Sequence, residues 1–143
     1  MGAGRGTFLS ARGLVTEGRG WLERALQASG PDIARFRVKA LNGAANLAED
    51  QRDLETASTL FEQARHLAAA IGLQMEESWA LIGLGTVAHD RGDYDIALEH
   101  HQRATMLARE VGDQRGIAVG LGNLAAVSYY RGQLEQAAQY WEE

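Results

Sequence analysis

The sequence has no cysteine. That excludes disulfides and thiolate-held zinc, and it suits a reducing compartment. Its single proline is Pro31, so the rest of the chain is free of the strongest helix breaker. Lysine is nearly absent: Lys39 is the one lysine among 14 basic residues. The arginines form no cluster of the kind a nucleic-acid surface needs. No apolar run approaches the about 20 residues of a membrane-spanning helix. The opening run Met1-Gly2-Ala3-Gly4-Arg5-Gly6 lacks the apolar core of a secretory signal. These absences predict a cytoplasmic protein that touches neither nucleic acid nor membrane.

What is present suits one folded domain. The chain has 143 residues, 45% of them apolar and 23% charged, with a modest net charge of −5. Seventeen glycines would suggest loops, yet most recur at fixed places. The stretch Ala80–Val119 shows why. Shifted by about 40 residues, the period characteristic of stacked helical repeats, it meets itself on either side. Leu81 falls on Leu41 and Leu121, and Ala97 on Ala57 and Ala137. Ala104 falls on Ala64, Leu107 on Leu67, Gly112 on Gly72 and Gln114 on Gln74.

Helical periodicity and turn residues divide each copy in two. Apolar residues three and four apart predict a helix over Val15–Ala28, with Trp21 and Leu22 on its inner stripe. Thr7–Ala11 reads as the end of a truncated earlier helix. Ser29-Gly30-Pro31-Asp32 breaks the chain, with Gly30 as a left-handed cap and Pro31 in the next first turn. Further helices are predicted over Asp32–Asp50, Leu54–Ile71, Gln74–Asp90, Tyr94–Val111, Gln114–Tyr130 and Leu134–Glu143, the last cut short. In the Asp32–Asp50 helix Ile33, Phe36, Val38, Leu41, Ala44, Ala45 and Leu47 are the expected apolar positions. Asp53, Asp93 and Asp113 are expected N-caps. Arg52 stands where other copies have Gly92 and Gly132, and is strained if that place is left-handed. Small residues recur at Ala45, Gly85 and Ala125, and at Ala57, Ala97 and Ala137, where helices can approach closely. Phe61, His101 and Trp141 share a third position, suited to a ring that fills the gap between helices.

These positions resemble the tetratricopeptide repeat. The third copy carries Leu81, Leu84-Gly85, Ala88, Gly92-Asp93-Tyr94, Ala97, His101 and Ala104. The second carries Leu41, Ala44-Ala45, Ala48, Leu54, Ala57, Phe61 and Ala64, and the fourth Leu121, Leu124-Ala125, Gly132, Leu134, Ala137 and Trp141. Two departures stand out: a period of 40 where about 34 is usual, and Gly72 and Gly112 in place of the family's proline. Long-period arrays of this sort are similar to those of bacterial multidomain signalling and transcriptional regulators, which the Arg12–Leu26 run also resembles.

The resemblance implies an all-α, right-handed α-solenoid over residues 1–143, with repeats at about 1–31 (partial), 32–72, 73–112 and 113–143 (truncated). It implies a non-enzymatic scaffold that binds a peptide or protein on its concave face, as part of a larger regulator. Carried over by position, the ligand face would comprise Lys39, Asn42, Asn46, Glu49 and Asp50. To these it adds Trp79, Ile82, Thr86, His89 and Asp90, then Val119, Ala126, Tyr129 and Tyr130. Residues at equivalent places differ there, which fits either a tailored groove or a plain solvated face. Trp79 reads equally as a groove anchor or as packing against the next helix. Asn42 and Asn46 lie one turn apart and suit one extended peptide backbone. Capture of a free C-terminal carboxylate would need lysine where Asn42 stands, so it is not expected. Glu49, Asp50 and Asp90 favour a basic or amide-rich partner.

Other chemistry is weakly supported. His100 and His101 point about 100° apart on a helix and cannot chelate together. His89-Asp90 lacks a nucleophile. The runs at Gly2–Thr7 and Gly83–Thr86 follow no strand and lack the Lys-Ser/Thr of a phosphate loop. No metal or cofactor is expected. The alternatives are a regulatory phosphatase or hydrolase using Asp50 or Asp90, and a ligand-free spacer. The shortened last helix predicts an apolar end face of Leu134, Ala137, Ala138 and Trp141, through which chains would pair as homo-oligomers.

Overall fold

A computed structural model describes residues 30–143. The expectations for Thr7–Ala11, Val15–Ala28 and the first partial repeat lie outside the described residues. Those described form six helices: α1 (Pro31–Asp50), α2 (Leu54–Ile71), α3 (Gln74–Asp90), α4 (Tyr94–Val111), α5 (Gln114–Tyr130) and α6 (Leu134–Glu142). Among the described residues there is no strand.

The turns repeat in atomic detail. Gly72, Gly92, Gly112 and Gly132 all have positive φ, and so does Arg52, at 61°. Each of the first five described helices stops with the N–H beyond that residue reaching back to a carbonyl of the last turn. Asp53, Asp93 and Gln133 donate in this way to Ala48, Ala88 and Ser128 at 2.9, 2.8 and 2.9 Å. A left-handed residue is what lets the chain reverse this sharply while satisfying those carbonyls. Gly30 departs from expectation. It is extended, with φ −70° and ψ −159°, and its carbonyl accepts the Ile33 N–H to start α1. The caps are uneven. Asp53 accepts from the Thr56 N–H and Asp113 from the Gly116 N–H, but the Asp93 side chain makes no such bond.

Short turns force neighbouring helices antiparallel, and small residues set their spacing. Ala57, Ala97 and Ala137 are fully buried. Their N–H groups bond the carbonyls of Asp53, Asp93 and Gln133 at 3.0, 2.9 and 3.0 Å, so the three sites are alike. Ala45 and Ala125 are likewise fully buried. A methyl on Gly85 would sit 2.4 Å from the His101 ring, so glycine is needed for that ring to fit. Phe61 and His101 fill their gaps, each 1% exposed. Trp141 does not: it is 63% exposed, because α6 packs on α5 alone.

The main core joins Leu41 and Ala45 of α1, Leu60 and Phe61 of α2, and Leu81 and Leu84 of α3. In α1 the buried stripe is Ala34, Val38, Leu41, Ala45 and Ala48. Phe36 and Leu47, expected there, are exposed. Phe36 lies two residues from both Ala34 and Val38, which turns it about 200° away from that stripe. Each helix packs on the next. In addition α1 touches α3 and α3 touches α5, whereas the backbones of α2 and α4 stay further apart. The array therefore bends, with α1, α3 and α5 on the inside. No described helix is long and apolar enough to cross a membrane.

Candidate functional site

The inner helices leave a groove between α1 and α3. It encloses about 500 Å³. Lys39, Asn42, Asn46 and Glu49 line it from α1, and Trp79, Ile82 and Thr86 from α3. The two strips of the predicted ligand face nearest the start of the array thus converge on one space.

Glycine makes that space. Gly43 and Gly83, at one repeat position, both border it. A methyl on Gly43 would meet nothing within 4 Å, so its missing side chain is open volume. A methyl on Gly83 would lie 2.3 Å from the Phe61 ring. That ring, coming from α2, occupies the vacated place and reaches the groove floor. Met75 and Glu76 close the side at the start of α3. Gly43, Phe61, Met75, Glu76 and Gly83 were not among the predicted contacts. Two helical glycines 40 residues apart were the available signal.

The polar groups of the groove are only partly used. The Asn42 amide donates to the Glu76 carbonyl at 3.2 Å, while its Oδ1 is buried with no hydrogen-bond partner. Trp79 is half-buried against the core, and the Arg115 guanidinium lies 5.3 Å over its ring. Trp79 therefore lines the groove and packs on the core at once. Burial, then Asp90 and Asp50, push the Glu49 carboxyl above its usual range, and Arg52 only partly offsets them.

The profile of the tetratricopeptide repeat family matches residues 33–110 and 76–143. The chain belongs to this family. The crystal structure of the tetratricopeptide repeat domain of Arabidopsis FLU is similar, with a TM-score of 0.72 at 23% identity. That likeness covers 76% of this chain and 92% of the FLU domain, and at this identity it speaks for the fold. No curated protein matches the chain.

The remaining predicted residues of this tetratricopeptide repeat chain lie elsewhere. Asp90 binds Arg52, Nη1 to Oδ2 at 2.5 Å, and Asp50 is exposed beside that pair. His89 packs 5.5 Å from Tyr94 and 5.1 Å from Tyr130. Tyr129 stands edge-on to Tyr130, with Trp141 beyond it. His89 and Asp90 thus have separate partners and do not act as a pair. Val119 packs against the main core, and Ala126 is half-buried on α5. At the far end Leu134 and Trp141 are exposed as expected, but Ala137 is fully buried and faces inward.

Proposed function

We propose that this chain is a non-enzymatic interaction module that binds an extended peptide segment in the groove between α1 and α3. Repeat domains of this family are generally scaffolds, and the fold suggests protein partners. One observation carries the finer reading. A largely apolar groove is edged by two asparagines one turn apart, and the exposed Asn46 amide has no partner among the described residues. An amide carries both donors and an acceptor, so Asn46 can bond a peptide backbone laid in the groove. The same proposal takes the array as one domain spanning the whole sequence, in the setting of a larger cytoplasmic regulator. Lys39, Glu49, Trp79 and Thr86 complete the contact surface.

The test is selection from a random peptide library against the wild-type chain, with the N42A/N46A double variant as control. Selected peptides should lose at least about tenfold in affinity for the double variant, since each lost hydrogen bond contributes about 1 kcal/mol. Circular dichroism should stay unchanged. Equal binding by the variant, or no selected peptide at all, overturns the proposal.

A further inference from the structure

We infer that the groove selects an extended segment in which one apolar side chain is followed or preceded, about three residues away, by lysine or arginine. This rests on the peptide-binding reading above and adds the chemistry of the occupant.

The apolar half of the motif comes from the notch. Gly43 leaves open volume on one wall, the Phe61 ring forms the floor, and Trp79 and Ile82 stand opposite. Apart from the indole N–H of Trp79 these surfaces are apolar, so an aliphatic or aromatic group fits there. The basic half comes from the charge at the other end. Glu49 borders the groove and makes no ion pair among the described residues. Burial, then Asp90 and Asp50, raise its affinity for a proton. The nearest cation, Arg52, is already bound to Asp90. A peptide cation would add a second positive charge beside these three carboxylates. Lys39, at the opposite end of the groove, disfavours a second one there.

The spacing follows from helix geometry. Gly43 and Glu49 lie six residues apart on α1, about 9 Å along its axis. An extended chain covers about 3.3 Å per residue, so about three residues separate the apolar anchor from the cation. The free Asn46 amide lies beside that path and can bond the peptide backbone on the way.

The experiment uses the full chain and a set of acetylated, amidated synthetic peptides. Each carries leucine or phenylalanine with lysine, glutamate or alanine three residues before or after it, read by fluorescence anisotropy. Lysine peptides should bind about tenfold more tightly than glutamate peptides. E49K should reverse that order. G43L should abolish binding of every peptide while keeping the fold, because the notch has room for the new side chain. If affinity ignores peptide charge, or if E49K leaves the order unchanged, the inference fails and peptide binding in the groove still stands. If no peptide binds the folded wild-type chain, both fail together.

Discussion

At the scale of single residues, the repeat shows its logic most clearly where it is broken. Arg52 holds φ 61° where sister turns use glycine. That conformation costs a non-glycine residue about 1 kcal/mol or more. Its ion pair with Asp90 is largely solvent-exposed, and such pairs contribute at most about 1 kcal/mol. R52G should therefore stabilise the chain by about 0.5–1 kcal/mol in urea unfolding. A loss of stability would mean that the tie to Asp90 outweighs the strain. His101 is the second departure, an imidazole where α2 carries Phe61. Burial first, then His100 and His89, lowers its pKa to about 4, and its Nδ1 has no partner. The unfolded chain takes up that proton near pH 6.5 and the folded chain only near pH 4. Stability from this group is therefore complete above about pH 6.5 and is lost as pH falls towards 4. The loss is as much as about 3 kcal/mol. His100 is shifted the same way by burial, and Glu49 in the opposite sense. H101F should remove the His101 share and raise stability at every pH. An unchanged slope between pH 4 and 6.5 would contradict this account.

At the scale of helices, boundaries were legible because the punctuation is chemical and periodic. Glycine closes four of the five turns and Arg52 the fifth, each helix begins two residues later, and the starts at Leu54, Gln74, Tyr94 and Gln114 follow from that. The stripe on α1 was less legible. Phe36 and Leu47 read as core by hydrophobicity, but alanines at the right angular positions occupy the core instead. Whether Asp93 closes its cap depends on a side-chain rotamer that residue type does not set. The helices also differ in how firmly they are held. The α3 helix touches α1, α2, α4 and α5 and buries Ala80 to Gly85 without a break. The α6 helix has 9 residues, buries only Ala137 and rests on one neighbour. Helices shorter than about 12 residues are marginal without tertiary support. Amide hydrogen exchange should be fastest in α6 and slowest in α3 among the described helices. Equal protection would show that the array unfolds as one unit.

At the scale of the molecule, stability and function share one device. Each hairpin rests on the next, so the array is held by neighbour contacts, and its inner helices are brought side by side. Lys39, Asn42, Asn46, Glu49, Trp79, Ile82 and Thr86 meet in the groove because they lie on the sides of α1 and α3 that face each other. Tyr129, Tyr130 and Val119 do not join them, since α5 is the next inner helix, two elements beyond α3. The positional reading found the rim of the groove but not its floor. Phe61 enters from an outer helix through the gap at Gly83, a contact between residues that share no periodic relation.

The most direct test is an amide chemical-shift map recorded while a peptide bearing leucine and lysine three residues apart is added. The account predicts shifts concentrated at Asn42, Gly43, Asn46, Glu49, Trp79, Gly83 and Thr86. Shifts confined to the outer faces of α2 and α4, or none at saturating peptide, would contradict it.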